Sequence, residues 1–171
     1  SRGLYSFCLG LAKKVLVADT LSVIVNQGYG DIGGLNAAWG AAFEDFSALE
    51  QPLEDCMIRY PGSEKDIREF SVILIRRYIQ VPSLACRKED SNHLNLGLRW
   101  SKAYNKDMMA GWEYFDVFSI NCYDFDPTRD MDFVKNAGVD LPIMLGEYHC
   151  GALDRGLTAT GLKGVTDQVQ R

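Results

Sequence analysis

The order of apolar and polar positions divides the chain into stretches of different rhythm. From residue 4 to 25, "LYSFCLGLAKKVLVADTLSVIV", apolar residues run together and are broken by Lys13, Lys14 and Asp19. The unbroken runs fall well short of the ~20 apolar residues that span a bilayer, so the segment predicts one or two amphipathic helices. Residues 28–40 are punctuated by glycine, with a short helix expected from Leu35 to Trp39. From Ser63 the period becomes helical, with Ile67, Phe70, Leu74, Tyr78 and Val81 on one face. "SEKD" at its start resembles a capping box with Asp66 at the third helical position. Pro82 is expected to kink or end this helix, because its ring removes a donor and collides with the preceding turn.

Beyond Pro82 the segments shorten. "HLNLGLRW" (93–100), "DVFSINCY" (116–123) and "LPIMLGEY" (141–148) each read as a strand, with helical material over 102–114 and 126–138 between them. In the second helix Asp126 is the expected N-cap, Pro127 takes the first helical position and Gly138 lies just past the end. Strands alternating with helices, with starts roughly 22 to 26 residues apart, predict βαβ units and a parallel sheet.

Composition narrows the function classes. Hydrophobic content of 47% and charged content of 24% belong to a soluble globular chain. The net charge of −5 comes from dispersed acids, and no basic stripe with interleaved aromatics is present, which argues against nucleic acid as a partner. The five cysteines form no C-x-x-C pair and, with only His93 and His149, no convincing zinc site, so buried free thiols are expected. The opening residues lack the order of a signal peptide, which leaves the compartment unknown.

In parallel α/β folds chemistry collects at the carboxyl ends of the strands. The first expected strand ends at Arg99 and Trp100, the second at Asn121 and Tyr123, and the third at Glu147 with His149 just beyond. A carboxylate, an arginine and aromatic rings on one rim suit glycoside hydrolysis, where the carboxylate attacks or activates and the rings hold sugars. The plainer readings stand beside this one. Glu147 can be a solvated or ion-paired strand end, His149 a hydrogen-bonded loop residue and Trp100 a packing residue. Asp154 and Arg155 read as a structural pair anchoring the following loop.

"LGEYHCGALDRGLTATGL" (145–162) resembles the nucleophile strand of the β-agarase-like glycoside hydrolases of family 50, akin to the family 42 β-galactosidases. "NHLNLGLRW", "DVFSINCYDF" and "YGDIGGLNAAWGAAFEDFSALEQP" resemble further segments of that family, so the likeness covers residues 29–171. It implies Glu147 as the nucleophile, with Arg99, Trp100, Asn121, Tyr123 and His149 positioning a galactose-containing oligo- or polysaccharide. It implies a secreted or periplasmic enzyme that needs no metal or cofactor. Such enzymes also carry an acid/base Glu in an Asn-Glu pair, and no Asn-Glu dipeptide occurs here.

A complete (β/α)8 barrel takes ~250 residues. The expected architecture is therefore α/β, a partial TIM barrel of about half the strands, over residues 29–171. Residues 1–28 form a helical segment of different origin, since 2–28 resemble membrane-bound O-acyltransferases. The leading expectation is a fragment of a retaining glycoside hydrolase acting on agar-type β-galactosides, inactive alone. The alternatives are a non-enzymatic α/β fragment with weak carbohydrate binding, or an acyltransferase fragment. A membrane location is disfavoured, because no apolar span follows residue 25. An incomplete sheet also leaves an open edge that can drive self-association.

Overall fold

The computed structural model describes residues 28–50, 55–101, 105–156 and 158–170, in a mixed α/β arrangement. The segment of expected separate origin lies outside these residues, apart from Gly28. The chain divides into two compact units, one ending at Tyr78 and the other spanning Ile79–Arg171.

In the first unit, helix α1 (Ile32–Trp39) starts where the Asp31 side chain accepts the Gly34 N–H at 2.7 Å. It stops at Gly40, whose positive φ of 69° suits a residue without a side chain. Its buried residues, Leu35 and Trp39, join Leu49 and Phe70 in a core flanked by Tyr29, Phe43, Tyr60, Ile67 and Leu74. A short helix α2 (Cys56–Arg59) precedes helix α3 (Glu64–Glu89).

Asp66 does not act as a helix cap. It is buried, and its Oδ2 accepts hydrogen bonds from Tyr29 Oη at 2.6 Å and Trp39 Nε1 at 2.7 Å. The bond to Asp66 is also the main cause that raises the Tyr29 hydroxyl above its usual pKa of 10.0. Asp66→Ala is expected to cost about 1–3 kcal/mol, because the Trp39 donor is left buried and unmet. The same substitution should return Tyr29 ionisation toward its ordinary range, which an ultraviolet titration of tyrosinate reads directly.

Helix α3 continues past Pro82 to Glu89, where the sequence predicted a kink or stop. The carbonyl that loses its partner to the ring belongs to Tyr78, a residue on the exposed side of the helix. Tyr78 and Val81, expected on the buried face, are both exposed. In the second unit Ile79 and Ser83 are buried instead, because this part of the helix is held through other groups. Gln80 Nε2 donates to Tyr114 Oη at 2.6 Å, and Arg87 Nη2 lies 3.0 Å from Asp116 Oδ1.

The second unit contains the expected βαβ element. Strand β1 (Phe118–Asn121), helix α4 (Thr128–Asn136) and strand β2 (Ile143–Glu147) follow in order, and the strands pair in parallel. The helix begins one residue later than expected: Pro127, not Asp126, is the N-cap and Thr128 the first helical residue. Asp126 Oδ1 accepts the Thr128 N–H at 2.9 Å from one position before the cap, and Gly138 takes a φ of 97° beyond the end. Val134 of α4 is buried, as are Phe118, Ile120 and Cys122. Of the helical stretch expected over 102–114, the described part, 105–114, holds two short 3-10 turns, Lys106–Met109 and Trp112–Tyr114.

The strand predicted over 93–100 contracts to one parallel bridge, Trp100 to Ile120. Its cause lies inside the run. Gly97 has a φ of 72°, the Asn95 side chain accepts the Gly97 N–H at 3.0 Å, and the Phe115 ring fills the space a β-carbon would need. That local turn ends the extended path. The thiols also depart from expectation: among the described cysteines only Cys122 is buried, and Cys86 is exposed. All four described cysteines are unpaired.

Asp116 ties this part of the unit together, with Oδ2 accepting the Asn95 N–H at 2.7 Å while Oδ1 meets Arg87. The backbone bond from Asn95, followed by Arg87, holds its carboxyl below the ordinary value of 3.8. A depressed carboxylate contributes stability that is fully present above the unfolded pKa and is lost as pH falls through the lower folded value. Asp116→Asn should therefore flatten the fall in stability below about pH 4 and lower stability at neutral pH. Urea titrations at pH 6 and pH 3 check both changes.

Candidate active site

The rim at the carboxyl ends of β1 and β2 carries the candidate chemistry. Pairing starts in ordinary register, Phe118 with Ile143, Ser119 with Met144 and Ile120 with Leu145. The next pair is Asn121 with Glu147, so Gly146 is an extra residue in β2, a bulge. Strand alternation alone would set Glu147 opposite Cys122, on the same face as Ile120 and the buried core. The bulge transfers it to the face of Asn121. The Cys122 N–H donates to the Glu147 carbonyl at 3.0 Å and closes the ladder beyond the bulge.

Three of the side chains expected on the rim meet here. Asn121 Nδ2 donates to Glu147 Oε2 at 3.1 Å, and Arg99 Nη1 lies 3.4 Å from the same oxygen. Arg99 precedes the bridge residue Trp100 and so shares a face with Ser119 and Asn121. Among the described residues both partners fall on Oε2 and neither on Oε1. The side chains of Arg99 and Glu147 are 68% and 39% exposed, and an ion pair that wet contributes about 0–1 kcal/mol to stability. Its effect is to orient the carboxylate.

The other expected site residues are placed differently. Trp100 faces the side opposite Glu147, with its ring stacked on Phe118 at 6.5 Å between centroids and 10° between planes, a packing arrangement. Among the described residues its buried Nε1 has no hydrogen-bond partner, and neither has Asn121 Oδ1. Tyr123 and His149 are half-buried. The His149 ring lies against Gly161, whose φ of 76° and absent side chain make room for it.

The loop after β2 is pinned by features that sequence reading missed. Two-residue strands β3 (Gly151–Ala152) and β4 (Gly164–Val165) pair in parallel. Lys163 Nζ lies 2.9 Å from Asp124, a contact that raises its pKa, and 5.8 Å from the Phe125 ring centroid. Asp154 Oδ2 accepts the Gln168 N–H at 3.2 Å, while the Arg155 side chain of the expected pair lies outside the described residues. Lys163 and Asp124 lie far apart in sequence with no motif between them, so only the fold joins them. Among the described residues there is no cluster of three or more His, Cys, Asp or Glu able to hold a metal ion, and no helix long and apolar enough to cross a membrane.

The parallel βαβ unit thus sets a carboxylate, an arginine and an asparagine side by side at the carboxyl ends of its strands, the end where chemistry collects in α/β folds. No family model matches the chain. Over 155 residues it is 32% identical to "Beta-agarase A" of Vibrio sp. (strain JT0107), covering 85% of this chain and 15% of that protein. Over 149 residues it is 28% identical to "Beta-agarase B" of the same organism, covering 86% and 16%. A solved structure described as "Structural analysis of an exo-beta-agarase" superposes with a TM-score of 0.73 at 26% identity, over 90% of this chain and 21% of that one. The chain is similar in sequence and in fold to a segment of these agarases, and it spans less than a quarter of their length. They lend no support to the acyltransferase resemblance of residues 2–28.

Proposed function

We propose that the chain is the nucleophile-bearing part of a retaining glycoside hydrolase acting on agar-type β-galactosidic polysaccharide, built on part of a (β/α)8 barrel. The observation that carries this reading is the Glu147 carboxylate, gripped at Oε2 by Arg99 and Asn121 from the two preceding segments of the sheet. With Oε2 held, Oε1 is the oxygen that attacks the anomeric carbon. The glycosidic bond breaks, the leaving oxygen departs with its electron pair, and a covalent glycosyl–enzyme ester remains.

Asn121 and Arg99 act as positioning groups, and Tyr123 and His149 line the sugar rim. Trp100 supports Arg99 from the packed side of the sheet. The chemistry requires no metal or cofactor. It does require a second carboxyl group ~5–5.5 Å away as acid and base, and the sequence carries no Asn-Glu pair to supply it. The isolated chain is therefore inactive toward natural substrate. The second edge of β2, unpaired among the described residues, is where a further barrel strand would add, and in isolation it favours self-association.

The test is a 2-deoxy-2-fluoro-β-galactoside with an activated leaving group. It should label the protein by one sugar mass at Glu147, located by peptide mapping, and Glu147→Gln should remain unlabelled. Labelling elsewhere, or equal labelling of the variant, would remove Glu147 from the role.

A further inference from the structure

We propose that Ser119 and Gly146 form a steric positioning pair that keeps the β2 bulge and so sets Glu147 beside Asn121 and Arg99. Neither residue touches substrate in this scheme; both act through Glu147. Ser119 is buried in β1 on the Asn121 face, and its hydroxyl occupies the space in which a β-carbon at position 146 would lie. That hydroxyl is the one close obstacle there. The next atoms, Arg99 Cγ at 3.7 Å and Ser119 Cβ at 3.8 Å, are at ordinary van der Waals distance. Gly146 is not among the glycines with positive φ, so its backbone conformation is open to alanine.

The need for glycine at 146 thus comes from the Ser119 hydroxyl. A methyl group at 146 has three ways out. It turns the hydroxyl of buried Ser119 to another rotamer, which leaves the site unchanged and would make Gly146→Ala silent. It displaces the bulge, which moves Glu147 out of register with Asn121, or it pushes toward Arg99, which removes the second group on Oε2. In the proposed pair one of the last two routes is taken, and either separates the three side chains.

This geometry makes the defect of Gly146→Ala reversible at a second site. With alanine at 119, a β-carbon at 146 meets only the contacts at 3.7 and 3.8 Å, and the bulge can re-form. The inference rests on Glu147 being the nucleophile for its catalytic consequence. Its geometric content stands apart from that reading and can be read without turnover.

The experiment follows the Asn121 side-chain amide by nitrogen–proton NMR, assigned by its disappearance in Asn121→Asp. In the wild-type chain one amide proton is shifted by its bond to the Glu147 carboxylate, and Glu147→Gln sets the value when that charge is gone. Gly146→Ala should lose the shift, Ser119→Ala should keep it, and the double variant should regain it. If Gly146→Ala does not fold, a folded double variant with the wild-type resonance gives the same support. A silent Gly146→Ala, or a double variant that fails to recover the resonance, overturns the proposal.

A second readout is the fluorosugar labelling rate, expected to fall by about 10²-fold in Gly146→Ala, as for a catalytic group misplaced by about an ångström, and to recover in the double variant. Absence of labelling in the wild type would count against the nucleophile reading, while the NMR outcomes would still decide the positioning pair.

Discussion

Phe118→Ala is expected to cost about 3–5 kcal/mol of stability. Phe118 is completely buried, and its ring packs against those of Trp100 and Phe115, with centroids 6.5 and 6.3 Å away. It also stands opposite Ile143 at the start of the β1–β2 ladder. Removing the ring loses the transfer free energy of a large apolar side chain and leaves a cavity that its rigid aromatic neighbours refill poorly. Against a total of about 5–15 kcal/mol for an ordinary domain, that is a large fraction. Leu153→Ala is the contrasting case, since Leu153 is half exposed and should change stability by no more than about 0.5 kcal/mol. Urea denaturation followed by far-ultraviolet dichroism compares the two. A loss under about 1 kcal/mol for Phe118→Ala would show that β1 is not central to the core.

The parts of the fold that were legible in the sequence are those set by local chemistry. The β1–α4–β2 unit is visible because short apolar runs flank a helix with Asp126 before it and Gly138 after it, signals that act over a few residues. The failures come from tertiary choices. "HLNLGLRW" alternates like a strand, yet Asn95 and Gly97 close a local turn, and the Phe115 ring presses where only glycine fits. "SEKD" has the spacing of a helix cap, but Asp66 is claimed by Tyr29 and Trp39, which no motif links to it. Pro82 removes one backbone donor, yet the helix continues to Glu89, with the affected turn around Tyr78 and Val81 on the exposed side.

The site shows the same division. Placing Arg99, Asn121 and Glu147 at strand ends required only the βαβ reading, and the fold does bring these three together. How they meet was not legible. Alternation without a bulge directs Glu147 toward the core face, and the extra residue at Gly146 becomes visible only once Ser119 is seen beside it. Trp100 illustrates the reverse. Its position at a strand end suited a sugar platform, but the one-residue offset from Arg99 places its ring on the packed face against Phe118.

The substrate dependence of the reaction follows from the supply of protons at this rim. The chain is expected to cleave a nitrophenyl β-galactoside slowly and to leave agar oligosaccharides intact on the same timescale. Breaking an ordinary glycosidic bond expels an alkoxide-like oxygen, which leaves only when a positioned acid protonates it, and such assistance is typically worth ~10²–10⁴-fold. The partners that the fold gives Glu147 are a guanidinium and a carboxamide, and neither is a general acid near neutral pH. Nitrophenolate needs little protonation, because it leaves as a stable anion. Attack by Glu147 then suffices to form the glycosyl ester, and an external nucleophile such as azide can release it. Glu147→Gln should abolish the nitrophenyl reaction, since a carboxamide oxygen is a far weaker nucleophile than a carboxylate. Arg99→Lys should weaken the reaction, as a single ammonium does not reproduce the planar guanidinium beside Oε2. Release of nitrophenolate and chromatography of agar oligosaccharides, run in parallel on wild type and both variants, measure all of this. Cleavage of the natural oligosaccharides that disappears in Glu147→Gln would mean that another group of this chain supplies the proton, and the assignment of the chain as a nucleophile-bearing part lacking its acid would be overturned.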